Sequence, residues 1–183
     1  MFIQTEGTPN PATLKFLPGR QVMASGTADF PTPDSAGRSP LALHLFDIEG
    51  VSGVFLGGDF ISVSKADDKD WEVLKPQILS AVMEHFTAER AVIDADGDSG
   101  GGTGDDDDGV VAQIKELLET RVRPAVAQDG GDIIFHRFED GVVYLTMQGA
   151  CAGCPSSTMT LQHGIENMLR HYIPEVTQVR AQE

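Results

Sequence analysis

From Asp94 to Gly109 the chain reads Asp-Ala-Asp-Gly-Asp-Ser-Gly-Gly-Gly-Thr-Gly-Asp-Asp-Asp-Asp-Gly, with no large apolar side chain in it. Such a stretch buries nothing that could offset the entropy of ordering it, so no core can run through it. The 183 residues are therefore predicted to form two small α+β domains, 1–93 and 110–183, joined by a flexible acidic Gly/Asp linker at 94–109. Glycine loosens this linker and aspartate repulsion extends it, to a span on the order of 20–25 Å or more. A calcium loop is the sharper alternative, because Asp94, Asp96 and Asp98 fall where an EF-hand places its first ligands and Asp105 where it places its last. That reading fails on Ser99, where the turn needs glycine, and on the missing bidentate glutamate.

The formal net charge is −15, and the linker alone carries seven acidic and no basic side chains. A chain so short of Lys and Arg lacks the surface that displaces counterions from phosphates, which argues against a nucleic-acid partner. No window approaches the roughly 18 apolar residues of a membrane span. The start, Met1-Phe2-Ile3-Gln4-Thr5-Glu6, has neither a basic n-region nor an Arg/Ser-rich amphipathic stretch. A cytoplasmic protein is expected, with a processed mitochondrial-matrix form as the alternative.

In the first domain, Phe2 to Thr5 and Leu14 to Leu17 read as short strands around the turn Gly7-Thr-Pro-Asn-Pro11. Ser39-Pro40 suits an N-cap followed by proline at the first helical position, with Leu41, Leu45 and Phe46 as the apolar side. Val51 to Leu56 and Phe60 to Val63 flank Gly57-Gly58-Asp59, a hairpin signal. From Asp70 to Phe86, Trp71, Leu74, Ile78, Val82 and Phe86 recur at helical spacing past an awkward Pro76. His44 and His85 stand alone within helical patterns and read as surface or satisfied histidines, not metal ligands. An interaction module is the natural reading of this half.

In the second domain, Val110, Val111, Ile114, Leu117 and Leu118 form the stripe of an amphipathic helix. It can run past Arg123 but must stop by Gly130-Gly131. The runs Asp132 to Phe138 and Val142 to Gln148 then read as a hairpin across Glu139-Asp140-Gly141. A helix follows from Pro155, with Leu161, Ile165, Met168, Leu169 and Tyr172 on one face. Only Glu175 to Val179 remain as strand material.

The chain's two cysteines sit between that hairpin and that helix, as Cys151-Ala152-Gly153-Cys154. Such a pair can grip one metal ion, close a short disulfide, or supply half of the four-cysteine set that iron–sulfur clusters and structural zinc require. A helix starting behind them points its free N–H groups and positive dipole end at the sulfurs, which favours thiolate. Gly149, Ala150, Ala152 and Gly153 leave room for a bulky inorganic core.

Gly130-Gly131-Asp132, the strand pair, and Gly149-Ala150-Cys151-Ala152-Gly153-Cys154-Pro155-Ser156-Ser157 resemble the C-terminal domain of NifU and of the Nfu-type iron–sulfur proteins. The front half resembles the matching N-terminal domain through Phe2 to Glu6, Thr8-Pro9-Asn10-Pro11, Leu14 to Gly19, Ser39 to Ala42 and Asp70-Trp71. The resemblance implies a scaffold or carrier, not an enzyme, in which Cys151 and Cys154 of each of two subunits hold one 4Fe-4S cluster. It implies a homodimer when loaded, upstream cluster assembly proteins as donors and apo iron–sulfur proteins as recipients, with the N-terminal domain helping to recognise them.

A thioredoxin-like dithiol oxidoreductase shares the strand, C-x-x-C and helix setting, but needs further strands after the motif helix. A zinc pair is the other alternative; His163 and His171 are too far apart for a finger and read as helical packing or surface residues. Asp132 is read either as an orienting group or as a carboxylate capping local N–H groups. Met147 and Met159, flanking the motif, are read as hydrophobic filler.

Overall fold

The computed structural model describes residues 2–94, 109–150 and 155–182, without the side chains of 155–157. They fall into two compact units, within 1–101 and 102–183. The linker prediction lies almost wholly outside the described residues.

The first unit contains the strands β1 (Gln4–Gly7), β2 (Thr13–Leu17), β3 (Ala28–Phe30), β4 (Val51–Leu56) and β5 (Ile61–Lys65), with helices α1 (Pro40–Phe46) and α2 (Trp71–Thr87). They form one antiparallel sheet in the order β1-β2-β5-β4-β3. Alternation assigns its faces: Phe16, Val54, Leu56, Ile61 and Val63 enter the core with Leu41, Leu45, Leu74, Ile78, Val82 and Phe86 of the helices. The residues between them, Lys15, Phe55 and Ser62, stand side by side across the strands. Lys15 is nevertheless buried, ion-paired to Glu6 and lying over the Phe60 ring.

Local signals place most of these elements. Ser39 caps α1: its Oγ accepts the Ala42 N–H at 3.1 Å and donates to the Val92 carbonyl at 2.6 Å. The Gly57-Gly58-Asp59 turn closes β4 on β5 through Gly57 N–H to Phe60 O, 2.9 Å. Trp71 Nε1 donates to the Pro11 carbonyl at 3.1 Å, tying the start of α2 to the β1–β2 turn.

Four features differ from expectation. β1 begins two residues late, at Gln4, which pairs with Leu17; Pro18 follows and has no N–H to extend the ladder, so Phe2 stays 80% exposed. β5 continues to Lys65, because Ser64 pairs with Thr13 and bonds its hydroxyl at 2.8 Å. β3 and the 3-10 turn Pro33–Arg38 were not expected; three residues cannot show an alternating pattern, and β3 owes its existence to pairing with β4.

The second unit opens with α3 (Gly109–Leu117), a π-helical turn (Leu118–Val122) and α4 (Arg123–Gln128). Strands β6 (Gly131–Glu139) and β7 (Val142–Gly149), helix α5 (Pro155–Tyr172) and strand β8 (Gln178–Ala181) complete it. The sheet order is β6-β7-β8, with β6 antiparallel and β8 parallel to β7. Ile114, Leu118, Val122 and Val126 pack with Ile133, Val143, Leu145, Ile165 and Leu169 in one core. Tyr172, expected on the apolar face of α5, is 47% exposed and meets the guanidinium of Arg121; Ile173 is buried in its stead. No helix among the described residues is long and apolar enough to cross a membrane.

Candidate functional site

The β6–β7 hairpin turns at Asp140 (φ 51°) and Gly141 (φ 79°), the double positive φ of a turn whose twist matches the strands. A Cβ at Gly141 would come within 2.7 Å of Thr177 Oγ1, so glycine is required there for space as well as for conformation. The turn sets the register that puts Val143, Leu145 and Met147 of β7 into the core. At the other end of the hairpin Gly131 faces Gly149, and the Ala150 N–H donates to the Gly130 carbonyl at 3.2 Å. Gly130 and Gly149 both have positive φ, 80° and 66°, and Ala150 is buried. The backbone is thus held in place up to the residue before Cys151.

Beyond the motif α5 opens on Pro155, whose missing N–H costs nothing at a first helical position. There is no acidic side chain in its first turn, and Arg170 and His171 lie in its last. The first leaves the positive end of the helix dipole without a carboxylate of its own, and the second complements the negative end. Because β8 returns parallel to β7, β7, α5 and β8 form a β-α-β unit. β7 ends at Gly149 on the carboxyl edge of the sheet, the edge at which ligands of such units are bound. In the sequence, residues 151–154 follow Ala150 and precede α5. Cys151 and Cys154 themselves lie outside the described residues.

Asp132, read from the sequence as orienting a ligand or interface or as capping local N–H groups, caps one and is also ion-paired. It is 3% exposed, accepts its neighbour Ile133 N–H at 2.8 Å, and receives Arg123 on both oxygens: Nε to Oδ1 and Nη2 to Oδ2, each 2.9 Å. The carboxylate's hydrogen bond raises the Arg123 pKa against the opposing effect of burial. Arg123 is the residue that sequence reasoning missed. It lies on a helix nine residues away with Pro124 behind it, and no pattern marks it.

Of the other residues singled out, Met147 fills core as expected, whereas Met159 is 61% exposed on α5. His163 and His171 are exposed on the same helix. Among the described residues no three His, Asp or Glu side chains converge on a point that could hold a metal ion. After α5 a single strand follows among them, short of the further strands a thioredoxin-like fold requires.

His85 is fully buried, its Nε2–H donating to the Ala91 carbonyl at 3.0 Å; its Nδ1, like that of His44, meets no partner among the described residues. Burial, with the nearby His44 and Arg90, lowers its pKa below the ordinary 6.5, although the Ala91 contact raises it. The unfolded chain therefore binds a proton more readily than the folded one. Stability is complete above the unfolded pKa and declines as pH falls from about 6.5 through the folded value. Urea unfolding of the first unit at about pH 7.5 and about pH 5.5 should show this loss, reduced in His85→Gln. An equal pH slope in both proteins would remove His85 as its source.

Residues 3–89 match a family model described as "Scaffold protein Nfu/NifU N terminal", and residues 114–180 one described as "NifU-like domain". The chain is 54% identical to the human "NFU1 iron-sulfur cluster scaffold homolog, mitochondrial" over 96% of its length and 70% of the relative's. It is 53% identical to "NifU-like protein 4, mitochondrial" of Arabidopsis thaliana, over 96% of its length and 64% of that protein's. A solution NMR structure of a NifU-like protein from Saccharomyces cerevisiae covers 52% of this chain and 86% of its own, at 27% identity and a TM-score of 0.47. This chain thus spans about two thirds of the length of the curated relatives it matches.

Proposed function

Since the chain belongs to the Nfu/NifU family of iron–sulfur cluster scaffold proteins, we propose that it accepts a 4Fe-4S cluster between two subunits and delivers it to apo-proteins. Cys151 and Cys154 of each subunit are the ligands. The observation that carries this reading is the pairing of two cysteines, the chain's full complement, with a short connection between a strand held to its last residue and the start of a helix. A 4Fe-4S cluster takes four thiolates, and one chain owns two.

The cluster is cargo. Its departure needs no change of oxidation state: acceptor thiolates replace those of the carrier one for one, and the freed cysteinates take up protons. A site split between chains also empties when the interface opens, which suits a carrier more than an enzyme. The N-terminal unit, which has no cysteine, serves recipient and donor recognition. The human, Arabidopsis and Drosophila relatives carry "mitochondrial" in their names. They lend no support to the cytoplasmic placement expected from the sequence, and a processed form in the mitochondrial matrix is the placement we adopt.

Anaerobic reconstitution with ferrous iron and sulfide tests the reading. About four iron and four sulfide per dimer are expected, with a doubling of mass on loading. A cluster of that content on a monomer, or metal-free catalytic reduction of insulin disulfides, would reject it.

A further inference from the structure

Arg123 and Asp132 form a two-pronged ion pair, both bonds 2.9 Å, on a carboxylate that is almost wholly buried. Burying a charge pair seldom adds stability over an apolar pair of the same volume, so its place in the fold carries the argument. On the strand side Asp132 is paired across the ladder with Gln148, one step from Gly131 and Gly149. The Ala150 N–H to Gly130 O bond follows, the last backbone bond before residue 151.

On the helix side Arg123 is the first residue past the π turn and donates its N–H to the Leu118 carbonyl. The turn has a reason in the sequence. Ile114, Leu118, Val122 and Val126 recur every four residues, and at 3.6 residues per turn such a stripe would drift around a straight helix by about 40° per step. One wider turn keeps all four in the core, and past it Arg123 reaches β6. π turns of this kind recur at functional sites.

We infer that Arg123 is a positioning residue of the cargo site: acting through Asp132, it fixes the carboxyl end of β7 and hence the point from which Cys151 departs. The inference rests on the proposed role of the two cysteines. It assigns to a guanidinium outside the proposed ligand set part of the control over how firmly the cluster is held, as partners of metal ligands do elsewhere.

The test compares the full-length chain with Arg123→Gln, Arg123→Lys, Asp132→Asn and Val143→Ala, the last a core truncation at the opposite end of β7. Each is reconstituted, its visible circular dichroism recorded, and loss of the charge-transfer absorbance followed after adding an iron chelator. Arg123→Gln and Asp132→Asn should lose the cluster about tenfold faster or more and show an altered dichroism pattern. Arg123→Lys, which keeps the charge without the fork, should recover part of both. Val143→Ala should melt lower yet hold its cluster as the parent does. Lability that simply follows melting temperature across the set, or an Arg123→Gln protein with the parent's release rate and spectrum, would overturn the inference.

A second arm uses the apo-proteins, where iodoacetamide alkylation of the two thiols at one fixed pH should change in Arg123→Gln and not in Val143→Ala. If the parent protein takes up no cluster, the proposed function fails. The alkylation arm still decides whether Arg123 governs the thiol segment.

Discussion

Cys151→Ala combined with Cys154→Ala is expected to abolish cluster binding, leaving background iron and acid-labile sulfide after reconstitution and a protein that no longer dimerises on loading. The loss should be total because the half-site has no reserve: the sequence contains no third cysteine, and among the described residues no other side-chain group could hold a metal ion. Either single variant should approach the same result, since a dimer of singles offers two thiolates where four are needed. Melting of the apo-protein should change little. Among the described residues the cores of the two units are assembled from aliphatic and aromatic side chains, and each substitution removes only a thiol group. Iron and sulfide assays with native mass measurement check all of this. A cluster that persists in the double variant refutes the ligand assignment.

Leu169→Ala should strip the second unit of much of its stability while leaving the first as it was. Leu169 is wholly buried in the core shared by α3, β7 and α5, where truncation of a leucine costs about 2–5 kcal/mol. A unit of this size has a total stability on the order of 4–11 kcal/mol, so a large part of it is removed. We propose that the units within 1–93 and 110–183 unfold separately. On that basis urea should produce two transitions, of which one moves, and hydrogen exchange should rise in β6, β7 and α5 while β2, β4 and β5 stay protected. Cluster uptake should fall with it. Equal shifts of both transitions would show that the division into independent units is wrong.

How far the sequence reveals the fold depends on how local each signal is. Ser39-Pro40, Gly57-Gly58-Asp59 and Glu139-Asp140-Gly141 act over a few residues, and each element they predict is present. β3 escaped because three residues acquire meaning only from a partner strand more than twenty residues away. Pro124 left the helix end undecided, because the π turn that carries the helix past it is selected by four side chains facing a sheet not yet formed. Tyr172 followed the spacing of its helix, yet the core took Ile173 and left the ring to Arg121. The candidate site divides the same way. The strand before the Cys151-Ala152-Gly153-Cys154 motif and the helix after it were legible because their signals lie within a few residues. The Arg123–Asp132 pair was not, because it depends on the phase of a helix against the register of a hairpin.

The parallel pairing of β7 with β8 bears on the order in which the chain acquires its parts. The β6–β7 hairpin is joined by a two-residue turn and can close within about 1–10 μs. A parallel pair has no such shortcut, since its strands meet only after the intervening helix has crossed over and docked. The strand that precedes residue 151 is therefore set early, and β8 joins it late. The hairpin can thus be complete before the sheet gains its third strand.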